Sequence, residues 1–213
     1  MKKLSVFLFV MLLFFGFAGM ANATLWDRGG GLIYDDFLDI TWLQDANYGA
    51  GSIYDNGYSA TDGLMTWANA MNWAENLIYE GYADWRLPTT PATGSGYTYE
   101  GEMGYMFHNN LGGTYGSFPG STFTDGNGDI MSFLNLQSTL AYWTGNSGGG
   151  GTVAWSYYFG YGYQEYMGTC STYSAWAVRD GDVGTPSVPE PATMLFLSFG
   201  LIGLAGLRRK FRK

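Results

Sequence analysis

Three oxygen-bearing side chains recur at alternate positions of one loop: Asp125, Asn127 and Asp129. Oxygen ligands at alternate positions of a flexible loop are typical of calcium sites. A twelve-residue EF-hand loop that began at this aspartate would also need glycine and an acidic residue where Ile130 and Leu136 stand. The spacing therefore excludes an EF-hand and predicts either a Ca²⁺ site of another kind or a solvated acidic turn. No other cofactor is predicted.

Aromatic side chains concentrate in the last third of the chain, where they alternate with small or polar residues. Their flat faces are suited to stacking on sugar rings, and we predict a ligand-binding set there. The set is Trp143, Trp155, Tyr157, Tyr158 and Tyr161. Alternating aromatic residues are equally typical of strands whose rings pack in the core or in cross-strand pairs, so that alternative stays open. Because neighbouring side chains of a strand point to opposite faces, we expect Tyr157 or Tyr158 at the surface.

Catalytic machinery is sparse. The chain has one histidine, His108, and one cysteine, Cys170, and we predict no catalytic residue. It has no serine–histidine–aspartate order, zinc-ligand spacing or phosphate-binding glycine loop. A lone cysteine excludes an internal disulfide, and we expect its side chain to be buried, with pairing between two chains as the alternative. A hydrolase that uses two carboxylates stays open, because acidic residues are plentiful.

The charged residues are distributed unevenly along the chain. The formal net charge is −8, yet most of the ten basic residues lie at the two ends of the sequence. Between residues 24 and 188 three arginines stand against seventeen acidic residues, which gives that stretch a net charge of −14. Such a surface repels phosphate backbones, so we predict no nucleic-acid partner.

Two of the three arginines, Arg86 and Arg179, lie in aromatic-rich segments. A planar guanidinium group pairs well with a carboxylate through two parallel hydrogen bonds. We therefore predict structural ion pairs with Glu102 or Asp84, and direct contact with a ligand is the alternative.

The N-terminal residues have the three parts of a secretory signal peptide. Two lysines follow Met1, residues 4–18 are apolar, and Ala21 and Ala23 occupy the −3 and −1 positions of a cut after residue 23. We predict that signal peptidase removes residues 1–23 and that the protein is exported.

The C-terminal residues contain a second apolar segment, 192–207, which a basic end follows directly. Its length of about 24 Å, at about 1.5 Å per residue, falls slightly short of a hydrocarbon core of about 30 Å. Basic residues after an apolar segment stay on the cytoplasmic side, so the preceding domain faces outward. This pattern predicts a weak, transient transmembrane anchor.

Three ordered elements at this end resemble the PEP-CTERM sorting signal. They are Pro189-Glu190-Pro191, the apolar segment, and the basic end that includes Arg208 and Arg209. The resemblance implies recognition by an exosortase in the inner membrane. It also implies that residues 186–213 are removed and that the protein reaches the cell surface or the extracellular matrix. A permanent anchor is the alternative.

The residues between the two ends, 24–185, are expected to form one domain. Apolar residues at helical spacing predict helices, and alternating patterns predict strands. The predicted strands are 32–34, 40–43, 141–144, 153–159, 161–167 and 174–179, and the predicted helices are 63–79 and 102–110. Helices early and antiparallel strands late indicate an α+β fold.

Several strings within residues 32–182 resemble the Lcl C-terminal domain family, a domain of unknown function. They are ITWLQDAN at 40–47, GYADWRLPT at 81–89, NLQ at 135–137, YWT at 142–144 and AWAVR at 175–179. The resemblance implies a C-type-lectin-like fold with two helices, a small and mostly antiparallel sheet, and long loops. It also implies a structural role for a set of motif residues. That set is Trp85, Arg86, Leu87, Pro88, Glu102 and Arg179.

The family looks like a branch of the C-type-lectin-like superfamily. That superfamily also includes the formylglycine-generating enzymes, whose R-L-P-T-E-x-E-W string resembles the one at residues 86–89. This chain departs from it by inserting residues 90–101 before Glu102, and it lacks the cysteine pair of those enzymes. We therefore expect a non-catalytic, exported surface or matrix protein associated with exopolysaccharide. The alternatives are a secreted glycan hydrolase or modifying enzyme on that fold, and a purely structural adhesin or matrix protein.

Overall fold

The computed structural model describes residues 24–92 and 94–184, which form a mostly β structure in three sheets. Strands account for 33% of the structure and helices for 14%. The predicted α+β, C-type-lectin-like class with one small sheet is therefore wrong. In chain order the strands are β1 (Leu25–Asp27), β2 (Leu32–Asp35), β3 (Ile40–Leu43), β4 (Leu64–Met65), β5 (Trp85–Arg86), β6 (Gly96–Tyr97), β7 (Thr122–Thr124), β8 (Ile130–Ser132), β9 (Ala141–Ser147), β10 (Val153–Tyr158), β11 (Tyr163–Gly168), β12 (Tyr173–Ser174) and β13 (Val178–Asp180).

The first sheet has five strands in the order β1-β2-β3-β13-β5, and every pair is antiparallel. The predicted strands 32–34 and 40–43 are confirmed as β2 and β3, which pair as an antiparallel hairpin. Its turn is closed by Asp35, a fully buried residue whose Oδ1 accepts the backbone N–H groups of Phe37 and Leu38. At the end of the turn Asp39 has a φ of 53°, in the left-handed region that aspartate tolerates better than most residues.

The second sheet has six strands in the order β4-β12-β9-β10-β11-β6. Its pairs are antiparallel except for β12 with β9. The turn from β10 to β11 includes Gly160, where an added Cβ would lie 1.9 Å from the backbone oxygen of Ser138. A side chain is therefore excluded at this turn. The strands β7 and β8 pair with each other alone.

The first helix is shorter than the predicted range 63–79, whereas the second, with its π-helical continuation, matches the predicted range 102–110 within one residue. The helix α1 spans Trp67–Glu75 and α2 spans Gly101–Tyr105, which continues into a π-helical turn at Met106–Asn110. A 3₁₀ turn covers Gly149–Gly151. The apolar pattern predicts that the first helix begins at residue 63. The helix α1 begins later, because Leu64 and Met65 form a strand that pairs with β12.

The core is aromatic and centres on Trp176, which is fully buried. Its ring lies 4.6 Å from that of Trp42, 4.9 Å from Phe133 and 5.8 Å from Tyr142. Residues 175–177 lead from β12 in the six-stranded sheet to β13 in the five-stranded sheet. The single strand predicted at 174–179 is therefore split between the two sheets, and Trp176 fills the space at the crossing.

Within residues 24–92 and 94–184 no helix has the length and apolar character needed to cross a membrane. The apolar segments predicted at 4–18 and 192–207 lie outside the described residues.

Candidate functional site

The five aromatic residues predicted to contact a ligand divide into buried and accessible rings. Trp143, Trp155 and Tyr157 are at most 1% exposed, so their faces are closed to a ligand. Trp143 donates its indole N–H to the carbonyl of Met65 at 2.7 Å, as a core residue does. Tyr158 is half-buried, and Tyr161 is 55% exposed.

Four further tyrosines form a continuous surface near Tyr161, and we call this set the tyrosine platform. Its members are Tyr97, Tyr99, Tyr115 and Tyr163. The ring of Tyr97 lies 4.1 Å from that of Tyr115 and 6.1 Å from that of Tyr163. Tyr99 lies 5.5 Å from Tyr115. About half of each of Tyr97, Tyr99 and Tyr115 is open to solvent.

Two sheet strands and one loop hold the platform together. Tyr97 in the edge strand β6 lies opposite Tyr163 in β11. The loop that carries Tyr115 is fixed by a backbone hydrogen bond of 3.1 Å from Gly116 to the carbonyl of Tyr161. The Tyr115 loop is therefore bonded to the backbone of Tyr161, which lies two residues before the platform member Tyr163.

Buried groups support the platform from below. Gln164 is 1% exposed, accepts the hydroxyl hydrogen of Thr90, and donates to the carbonyls of Pro91 and Gly94 at 3.2 and 2.8 Å. These bonds hold the segment that leads into β6. On the other side, an added Cβ at Gly104 would lie 2.8 Å from the carbonyl oxygen of Thr98, so α2 packs directly on the backbone between Tyr97 and Tyr99.

A histidine lies beneath the platform. The ring of His108 is 3.8 Å from that of Tyr99 and 5.5 Å from that of Tyr115. Its Nδ1 lies 2.9 Å from the carbonyl oxygen of Gly113, and its Nε2 is buried without a partner among the described residues. Because a carbonyl only accepts, Nδ1 carries a proton and donates it to this hydrogen bond.

Two of the platform phenols, Tyr163 and Tyr115, have raised pKa values. Burial, followed by a hydrogen bond with Glu165, raises the pKa of Tyr163 to about 12. A hydrogen bond with Tyr99 is the largest cause of the raised pKa of Tyr115. These two phenols therefore keep their protons more firmly than an ordinary tyrosine. A tyrosine ring presents an apolar face with a hydroxyl group at its rim, which suits a ligand that has both C–H and O–H surface.

The predicted motif residues lie in a separate structural cluster. Arg86 binds Glu102 through two hydrogen bonds of 2.8 and 2.7 Å, and Glu102 also accepts the backbone N–H of Thr89 at 2.7 Å. The ion pair between Arg86 and Glu102 forms although residues 90–101 are inserted between the motif and Glu102. Trp85, Leu87 and Pro88 are buried.

Arg179 forms the second predicted pair. It binds Asp84 through two hydrogen bonds of 2.8 Å, and its guanidinium group lies 4.4 Å from the ring centre of Tyr82. The hydrogen bond from Arg179 is the largest cause of the lowered pKa of Asp84. Because a lowered carboxylate pKa stabilises the folded state above the ordinary pKa of about 3.9, this contribution is lost as the pH falls through the folded value.

Replacing Asp84 with asparagine is expected to reduce the free energy of unfolding by about 0.5 to 1 kcal/mol at pH 7, a modest value because the carboxylate is largely exposed. The difference from the unmodified protein should shrink as the pH falls below about 3.9 and through the lower pKa of Asp84 in the folded state. Urea unfolding at pH 7, 5 and 3 measures it. Glu75→Gln, an exposed change on α1, is the control, and equal losses for Asp84→Asn at pH 7 and pH 3 would contradict the assignment.

The predicted Ca²⁺ loop is a closed turn. Asp125 is 5% exposed, and its Oδ1 accepts the backbone N–H groups of Asn127 and Asp129, each at 2.9 Å. Its Oδ2 accepts the side-chain amide of Asn127 at 3.1 Å. The Asp125 carboxylate therefore holds the turn, and no group of three His, Cys, Asp or Glu residues within the described ranges is placed to bind a metal ion.

Cys170 is exposed, so the prediction that it is buried is wrong. It lies in the turn between β11 and β12, at a cleft of about 520 Å³ that is also lined by Tyr58, Leu64 and Tyr173. This cleft and another of about 460 Å³ beside Tyr48 contain no carboxylate in their linings. A third, of about 270 Å³, contains one. None of the three brings together the carboxylate pair that a hydrolase would need.

Comparison with known families finds a match for the described domain and another for the C-terminal segment. The PEP-CTERM protein-sorting motif matches residues 187–210, which include Pro189, Glu190, Pro191, Arg208 and Arg209 and lie outside the described residues. This motif marks an exported protein that an exosortase processes from a membrane-anchored intermediate. No curated protein matches the chain. The Lcl C-terminal domain matches residues 31–179, which hold strands β2 to β12, most of β13 and the tyrosine platform, and the chain therefore belongs to the Lcl C-terminal domain family.

Proposed function

We propose that this protein is a non-catalytic, extracellular module that binds polysaccharide through the tyrosine platform. The observation that carries the proposal is the arrangement of four neighbouring tyrosine rings, three of them about half exposed, on one continuous surface. Exposed aromatic rings that touch one another are costly to leave in water, so a cluster of them marks a binding surface. Sugar rings offer C–H faces to the phenol rings and hydroxyl groups to their rims.

The platform is supported in the way that a binding surface requires. Buried hydrogen bonds of Gln164 hold the segment that enters β6. A ligand would therefore meet rings whose positions are already restricted, which reduces the entropy lost on binding. Tyr161, which is 55% exposed, lies beside the Tyr115 loop because its carbonyl accepts the backbone N–H of Gly116.

The sorting motif supports a location where polysaccharide is present. In this proposal signal peptidase removes residues 1–23, the C-terminal segment 186–213 anchors the protein transiently, and exosortase releases the domain 24–185 to the cell surface or the extracellular matrix. There the platform holds the protein on exopolysaccharide.

Replacing Tyr97 and Tyr115 together with alanine is expected to weaken polysaccharide binding at least about tenfold, which corresponds to about 1.4 kcal/mol. The loss follows because these two rings form the closest contact of the platform. Native gel electrophoresis of the secreted protein through gels that contain exopolysaccharide extracted from the producing cells measures binding as retardation. Tyr58→Ala, which removes a ring that is 97% exposed and outside the platform, is the control. Equal retardation of the double variant and the unmodified protein would refute the proposal.

A further inference from the structure

The described part of the chain has no cation free to meet an acidic sugar. It contains three arginines and no lysine. Arg28 binds Asp182 through hydrogen bonds of 2.8 and 2.7 Å. Arg86 binds Glu102, and Arg179 binds Asp84. Each guanidinium group is thus committed to a carboxylate of the same domain. A uronic acid on a bound glycan would have to break one of these pairs or remain unpaired.

Two carboxylates lie within two residues of platform tyrosines in the sequence. Glu165 lies two residues after Tyr163 on the same face of β11, and it interacts with the Tyr163 hydroxyl. Glu100 follows Tyr99 and is exposed. Neither carboxylate forms an ion pair within the described residues. Beneath the ring of Tyr99, Nε2 of His108 is buried without a partner among residues 24–92 and 94–184.

We propose that the tyrosine platform selects polysaccharides that carry free amino groups over neutral and acidic ones. This inference rests on the proposed function of the platform. An ammonium group is attracted to the face of a tyrosine ring. It also supplies hydrogen-bond donors and a positive charge that complement the carboxylates of Glu100 and Glu165. The strong negative charge of the domain adds a longer-range attraction that raises the association rate at low salt.

Three oligosaccharides of equal length separate the possibilities: β-linked glucosamine, its fully N-acetylated form, and β-linked glucuronic acid. Isothermal titration of the secreted protein at pH 6 is expected to show glucosamine bound at least about tenfold more tightly than the acetylated form. The glucuronic acid oligomer is expected not to bind. Raising NaCl from 50 to 500 mM should weaken glucosamine binding and leave binding of the acetylated form nearly unchanged, because salt screens exposed charges.

The variant Glu100→Gln/Glu165→Gln should bring the two affinities within about twofold of each other, while Glu75→Gln leaves the preference intact. If the acetylated oligomer binds as tightly as glucosamine and binding still depends on Tyr97 and Tyr115, the selectivity is refuted and the proposed function stands. If none of the three oligomers binds and exopolysaccharide retardation is also independent of the platform, both are refuted.

Discussion

Replacing Trp176 with alanine is expected to lower the free energy of unfolding by about 3 to 5 kcal/mol, the usual range for removing a large aromatic core residue. The indole is fully buried at the crossing between the two sheets and contacts four other rings. Its N–H also donates to the carbonyl of Leu43 at 2.7 Å, so the truncation leaves a buried acceptor without its donor. Urea unfolding followed by circular dichroism measures the loss.

Two further variants make the Trp176 result specific. Trp176→Phe retains a ring and loses the N–H, so its loss should be smaller than that of the alanine variant. Tyr58→Ala removes an aromatic ring that is 97% exposed and should change stability by less than about 0.5 kcal/mol. A Trp176→Ala variant as stable as Tyr58→Ala would show that the two sheets do not depend on this contact.

Replacing Arg86 with alanine is expected to destabilise the fold by about 2 to 3 kcal/mol. Its partner Glu102 is only 13% exposed at the side chain and would remain as a charge held by one N–H. Removing one member of a fully buried pair costs about 3 to 5 kcal/mol, and the smaller value reflects the 33% exposure of the arginine side chain. Urea unfolding at pH 7 measures the effect.

Asp180 provides the matched control for the arginine. It also binds Arg86, at 3.0 Å from Nε, but its side chain is 79% exposed. Asp180→Asn should therefore cost less than about 0.5 kcal/mol, as is usual for a surface pair. Losses of equal size for Arg86→Ala and Asp180→Asn would mean that the Glu102 contact contributes nothing beyond a surface interaction.

The longer strands could be predicted from the sequence, because alternation over four or more residues identifies them. The hairpin of Leu32–Asp35 and Ile40–Leu43 and the long strands Ala141–Ser147 and Val153–Tyr158 carry this signal. The short strands do not, since two residues such as Trp85–Arg86 cannot show a period. Of the thirteen strands in the described residues, six lie where no strand is predicted. The prediction therefore underestimates the strand content, and for this reason the α+β class is wrong.

The candidate site was predictable only in part. Tyr161 belongs to the predicted aromatic set and lies beside the platform, but Tyr97 and Tyr99 stand in a segment whose glycine and threonine content indicates a loop. The alternation of Tyr97, Thr98 and Tyr99 was the available signal, because it places two rings on one side of an extended chain. Nothing in the sequence shows that Tyr115 meets them. That contact depends on the hydrogen bond between Gly116 and Tyr161.

The position of β13 determines how the domain responds to mechanical load. The strand lies inside the five-stranded sheet, between β3 and β5, and only a few residues separate it from the sorting motif at 187–210. Tension on the C-terminal segment during anchoring therefore enters the fold at an interior strand. To extract that strand, a pull must break backbone hydrogen bonds on both of its sides and separate Arg179 from Asp84.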